Sequence, residues 1–265
     1  MRNYIEEFVR EMNNRNYAWN TIRVYSGHLK HFLTFSRKSD FEPAKRIAVF
    51  LEKKSSLEQR RLAWASIKLF YKLVLGKECP YQLDRIRSRK RLPDILTKNE
   101  ILNILGHITN EKHRLMISLL YGSGLRVSEV CNVRIKDLNC SNLTLKISNS
   151  KGNKDRVTLL SAKSAKDLQK IITGRGSDEN IFLTLHKRKY SIRTVQKIFS
   201  NALEKTGLTK KPTCHTLRHC FATHLLESGT DLKTIKDLLG HQSVNTTMIY
   251  VQLAKPDLEH VKSPL

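Results

Sequence analysis

Acidic side chains are scarce in this chain. Its 265 residues hold 24 Asp and Glu against 48 Lys and Arg, a formal net charge of +24 with a pI ≈ 10.0. Self-repulsion on that scale calls for a polyanionic partner, and solubilising surface lysines do not account for it. Long apolar runs are absent, and the N-terminus does not read as a secretory leader. A membrane role is therefore excluded, and the chain is expected in the cytoplasm. Cysteine is sparse and unpatterned: Cys79, Cys131, Cys140, Cys214 and Cys220 form no C-x-x-C pair and are odd in number. They read as reduced, largely buried thiols. No Gly-Lys-Ser/Thr ending follows the turn Gly122-Ser123-Gly124, and Val127 stands where a dinucleotide fingerprint needs its last glycine. No nucleotide cofactor is implied. Internal repeats and low-complexity segments are also missing.

What is present supports a folded, two-part molecule. A hydrophobic fraction of 40% suffices for real cores, and the length fits two ordinary domains. The positive excess is shared, +11 in residues 1–90 and +13 in residues 91–265. A single basic arm would concentrate that charge; spreading it suits a clamp with two faces on a nucleic-acid duplex.

The first part reads as helices alone. Ile5, Phe8, Val9 and Met12 mark one amphipathic helix. Asn20 or Thr21 is expected to cap a second, with Ile22, Tyr25, Leu29, Phe32 and Leu33 at helical spacing. Pro43 starts a third. Ser56 caps a fourth, whose Leu62, Ile67, Phe70, Leu73 and Val74 point inward and whose end is marked by Gly76. This gives a helical domain over 1–87 and an exposed basic linker over 88–94, ending the run RSRKRLPD.

A second domain is expected over 95–265, with a tail from 251. It opens on a capping box, Thr97 with Glu100. A helix from about 111 to 121 breaks at Gly122-Ser123-Gly124 and restarts near Arg126, placing that guanidinium in a first helical turn. Residues 143–148 alternate like a strand and pair with 156–160 across a turn at 149–155. Helices follow near 162–172, 191–205, 214–228 and 231–239. The expected fold class is mainly α with a small antiparallel β-sheet.

His215, Arg218 and His219 fall at i, i+3 and i+4, one face of a helix, with Leu217, Phe221 and Leu225 opposite. The pattern predicts a cationic ridge on a buried helix. Its H-x-x-x-H spacing also matches a helical zinc site, but Thr216 stands where a zinc protease needs its glutamate. Arg218 would also set a fixed positive charge against the cation, so neither metal nor cofactor is expected. Glu129 can hold Arg126 in place as an intrahelical ion pair. Lys151 lies at the hairpin tip and His241 at a Gly turn. Tyr250 sits in SVNTTMIYVQ, where helical signals are modest; with a free pKa of about 10 it needs cations to act as a nucleophile.

In order, the segments YGSGLRVSEV (121–130), SKGNKDR (150–156), HTLRHCFATHLLESG (215–229), LLGH (238–241) and TTMIY (246–250) resemble the tyrosine recombinase, or phage integrase, family, and within it the Xer type. The resemblance implies a helical core-binding domain followed by an α+β catalytic domain. It makes Arg126 and Arg218 the catalytic arginines, Lys151 the hairpin lysine, His215 and His241 the catalytic histidines, and Tyr250 the nucleophile, with Glu129 in support. It implies a nucleoid-associated enzyme that breaks and rejoins double-stranded DNA at a specific site, without metal or ATP, for chromosome or plasmid dimer resolution or for movement of a mobile element. A homotetramer on two sites, with room for an accessory protein or a second recombinase, goes with it. Ser150 replaces a glycine usual in the family, and Cys214 and Thr158 stand where proline is common; none of these removes a functional group. The alternatives are DNA relaxation of the type IB topoisomerase kind and a DNA-binding relative without catalysis.

Overall fold

The computed structural model describes residues 2–83, 94–148, 155–241 and 243–254. The chain divides into two compact units, Met1–Lys90 and Arg91–Leu265.

The first unit holds four helices: α1 (Arg2–Asn14), α2 (Trp19–Ser36), α3 (Pro43–Glu52) and α4 (Leu57–Leu73). Their apolar faces meet in one core of Phe8, Met12, Leu29, Phe32, Ile47, Phe50, Leu51, Ile67 and Phe70. Edge-to-face ring pairs, Phe8 on Phe70 and Phe32 on Phe50, fix the helix faces against each other. Local chemistry sets the helix starts. Pro43 opens α3, where its missing N–H costs nothing, and the Ser56 hydroxyl accepts from the Gln59 N–H at the head of α4. The expected cap of α2 is not there. The helix begins earlier, with Ala18 at its N-cap and no side-chain cap, so Asn20 and Thr21 lie inside the first turn.

The second unit begins with α5 (Lys98–Gly106), α6 (Glu111–Gly122) and the single turn α7 (Val127–Val130). The Thr97–Glu100 capping box forms as expected, closed by bonds of 3.2 and 2.7 Å. A small antiparallel sheet follows, β1 (Leu138–Asn139), β2 (Thr144–Ile147) and β3 (Arg156–Leu159), in that order. The remaining helices are α8 (Ala162–Ile172), α9 (Ile192–Glu204), α10 (Cys214–Glu227), α11 (Leu232–Leu239) and α12 (Val244–Leu253). The main core gathers Leu119, Leu120, Leu125, Val130, Leu145, Ile147, Phe182, Phe199 and Leu217. A smaller cluster of Phe221, Ala222, Ile235, Leu239 and Tyr250 joins α10, α11 and α12.

Among the described residues, the short 3-10 turn Ile135–Asp137 escapes sequence reading, and so do two further elements. β1 has only two residues, too few for alternation to show. The second is α12, whose run of Thr, Ile and Val residues has weak helix preference; it is held by burial of Thr247 and Tyr250. The hairpin tip, residues 149–154 with Lys151, and most of the tail, residues 255–265, lie outside the described residues. All five cysteines are free thiols.

Candidate active site

The site forms where the turn after α6 meets α10, α11 and α12. Gly124 makes the turn possible. Its φ is +61°, and a Cβ there would clash with the edge of the Phe221 ring, 2.7 Å from Cε1 and closer still to Cδ1. Arg126 emerges next, at the N-cap of α7 with extended backbone and not inside a helical turn as the sequence suggests. Since α7 is a single turn, little helix dipole is available to an anion there. Glu129 holds Arg126 as expected. Its carboxylate accepts from the Arg126 backbone N–H at 2.8 Å and from the guanidinium at 2.7 Å. Burial raises the Glu129 carboxyl; bonds and charge from Arg156, then from Arg126, outweigh it and hold the pKa at about 2.

Arg218 departs from expectation. It is not on an open ridge; it is 1% exposed, and its guanidinium donates to the carbonyls of Gly124 and Leu239. It therefore ties the turn after α6 to the C-terminus of α11, whose last carbonyls lack helical partners. Burial, then the charges of Arg126 and Arg156, lowers its pKa to about 9, so it remains cationic at neutral pH.

Three histidines line up with Tyr250. His215, on the first turn of α10 with an edge open to solvent, meets His219 edge to face at 4.5 Å between ring centres. His219 lies 5.6 Å from the Tyr250 ring, and His241 stacks on that ring at 6.2 Å and 15°. His241 follows Gly240, the left-handed cap of α11, and its Nδ1 pairs with Thr247 Oγ1 at 3.0 Å. Burial and neighbouring positive charge push His219 and His241 down to about 4, and His215 downwards. His219 and His241 are thus neutral at pH 7 and hold a proton poorly.

Tyr250 is 1% exposed. Burial raises its phenol pKa, while Arg218 and Arg126 pull the other way. Burial wins, so the two arginines do not pre-ionise this tyrosine. Of the residues expected to form a site, Arg126, Glu129, His215, Arg218, His241 and Tyr250 converge here, from segments up to 124 positions apart. Lys151 belongs to the undescribed hairpin tip. Sequence reasoning missed Arg156 and left His219 out of the site. The signal for His219 was its place one turn after His215; for Arg156 it was a charge in a strand whose partner buries its apolar face.

The phage integrase family profile matches residues 94–256. The chain belongs to the phage integrase family. Among its relatives in that family, the "Integrase/recombinase" of Escherichia coli is 33% identical, over 94% of this chain and 89% of that protein. Tyrosine recombinase XerA of Pyrococcus furiosus is 34% identical, over 96% and 91%. The fold is that of XerH site-specific recombinase bound to a palindromic difH substrate, with a TM-score of 0.74 at 22% identity, over 98% of this integrase-family chain and 88% of the other. By sequence this chain is accordingly a tyrosine recombinase with relatives of the Xer kind.

Proposed function

We propose that the chain is a site-specific DNA recombinase that cuts and rejoins strands through a 3′-phosphotyrosyl intermediate, with Tyr250 as nucleophile. One observation supports the reading: Arg126, Arg218, His219 and His241, scattered along the sequence, meet around the Tyr250 phenol, with His215 packed against His219. Attack of the phenol oxygen on a phosphodiester forms an O–P bond, expels the 5′-oxygen and adds negative charge to the non-bridging oxygens. Arginine forks meet that charge with a geometry lysine lacks, each preorganised donor contributing about 3–4 kcal/mol. The raised Tyr250 pKa means the proton must leave during attack, and His215 is assigned to manage it, with His219 packed against both rings. His241 donates to the phosphate, and Lys151 protonates the departing oxygen. The phosphotyrosyl link keeps the bond energy, so rejoining needs no ATP. Because Tyr250 is buried, α12 must yield before DNA reaches it.

Denaturing gels on a nicked suicide duplex test the assignment. Tyr250→Phe should bind DNA as the parent does and form no covalent adduct; an undiminished adduct assigns the attack to another residue. A two-site recombination assay beside a relaxation assay separates recombination from topoisomerase action, and absence of both marks a relative that only binds.

The active assembly is a tetramer on two DNA sites, cytoplasmic and nucleoid-associated, acting in dimer resolution or on a mobile element. We infer from the sequence, where Leu258 and Val261 are apolar, that residues 256–265 link its protomers in trans, the alternative being a tail that stays with its own protomer. Deleting 256–265 should spare single-site binding and reduce synapsis on native gels. Full recombination by the truncated chain removes the tail from assembly.

A further inference from the structure

Strand β3 is inside out. Its polar residues, Arg156 and Thr158, are 7% and 0% exposed, while Val157 and Leu159 are 54% and 42% exposed. The register causes this. Ile147 pairs with Arg156 and Leu145 with Thr158, and paired residues share a face, so burial of the β2 leucine and isoleucine draws the arginine and threonine inward. Shifting β3 by one residue would bury two apolar side chains instead. A strand that gives this up is held by something other than hydrophobic pairing.

The something is a chain of contacts that ends at Arg126. Arg156 Nε donates to the Leu238 carbonyl at 2.9 Å, the residue before the carbonyl that Arg218 grips. A Cβ on Gly240 would come within 2.8 Å of Arg156 Cδ, so only glycine leaves the side chain its path. Both Nη atoms then fork onto the two oxygens of Glu129, each at 2.7 Å. The same two oxygens accept from Arg126, one from its guanidinium and one from its backbone N–H. The Arg156 and Glu129 side chains are 4% and 8% exposed, and Glu129 is the carboxylate that pairs with Arg156, which without it would be a costly buried charge.

Resting on the recombinase reading above, we propose that Arg156 is a positioning residue: through Glu129 it sets where the Arg126 guanidinium meets the scissile phosphate. Glu129 alone could swing with the short turn α7. Clamped by a bidentate fork from a sheet strand that is itself anchored to α11, it becomes a fixed point. Lysine keeps the charge and cannot make the fork.

The test measures covalent adduct formation by the full chain at saturating protein, on a nicked duplex selected by binding from random-sequence DNA. The proteins compared are the parent, Arg126→Ala, Arg156→Lys and the double variant. Arg156→Lys should slow the adduct roughly tenfold to hundredfold, as expected for a misplaced reacting group, while its DNA dissociation constant stays within about twofold of the parent. The double variant should lose much less than the product of the two single losses, because Arg156 acts chiefly through the Glu129 carboxylate that holds Arg126. On a duplex whose scissile phosphate carries a methyl in place of one charged oxygen, the Arg156→Lys defect should shrink along with that of Arg126→Ala; a merely structural lesion would persist. Parental rates in Arg156→Lys, or losses that multiply in the double variant, overturn the inference. If Arg156→Lys does not unfold cooperatively, Glu129→Gln is scored by the same comparisons. A parent chain that forms no adduct overturns the recombinase reading itself, a result distinct from the failure of Arg156.

Discussion

At the scale of the residue, the site depends on atoms that are missing as much as on charges that are present. Gly124 and Gly76 have the same φ of +61°, yet a side chain at Gly124 meets Phe221 while one at Gly76 meets nothing within 4 Å. Gly76→Ala should therefore lose only the left-handed backbone cost, about 1 kcal/mol. Gly124→Ala should lose that and the overpacking of Phe221, at least about 2 kcal/mol. Both tryptophans, Trp19 and Trp64, lie in the first unit, so urea unfolding followed by fluorescence reports on Gly76→Ala. Circular dichroism reports on Gly124→Ala. Equal losses at the two positions would mean that the Phe221 ring moves aside freely. Thr158, which stands where relatives were expected to carry proline, is accounted for at this scale too: its hydroxyl donates to the Ser123 carbonyl at 2.8 Å and pins the same turn.

At the scale of the element, α10, α11 and α12 form one titrating assembly. His219 comes from α10, His241 from the cap of α11, and both rings lie on Tyr250 of α12. Their folded pKa values, about 4, lie below the ordinary value of 6.5. Between those limits the unfolded chain binds protons that the folded one refuses. The stability from keeping them neutral is complete above about pH 6.5 and declines as pH falls towards 4. Glu129, held at about 2, stays ionised across that window and opposes nothing. The urea midpoint of the second unit should therefore drop between pH 7 and pH 4.5, and the drop should shrink when His219 and His241 are replaced by glutamine. A midpoint that is flat across this range would show that the rings are hydrated.

At the scale of the whole molecule, charge is the dominant quantity. Binding should weaken steeply with salt, log K falling by about 0.9 per phosphate contact for each log unit of salt. The fragment 95–265 lacks the +11 carried by residues 1–90, so its slope should be shallower and its affinity lower. Fluorescence anisotropy on one duplex across a salt series measures both. An unchanged slope would mean that the helical unit does not hold DNA.

Several features were determined by the sequence itself, because they depend on neighbours in the chain. The helices of both units followed from apolar spacing, the Thr97–Glu100 box and the Ser56 cap from side chains three residues from their partners, and the β2–β3 pairing from alternation. The same local logic set Arg218 with His215 and His219 on one helix face. Tertiary structure decided what that face meets. Arg218 reads as a surface cation in sequence, yet it is buried because carbonyls from two distant segments close over it. Tyr250 reads as weakly helical, yet α12 forms because its burial against α10 and α11 outweighs poor propensity. Arg156 drew no attention as one charge in a short strand; its role comes from a register imposed by β2 and from Glu129, 27 residues before it. Periodicity records which residues share a face, while the free energy of a buried ion depends on partners that only the folded chain brings within hydrogen-bonding distance.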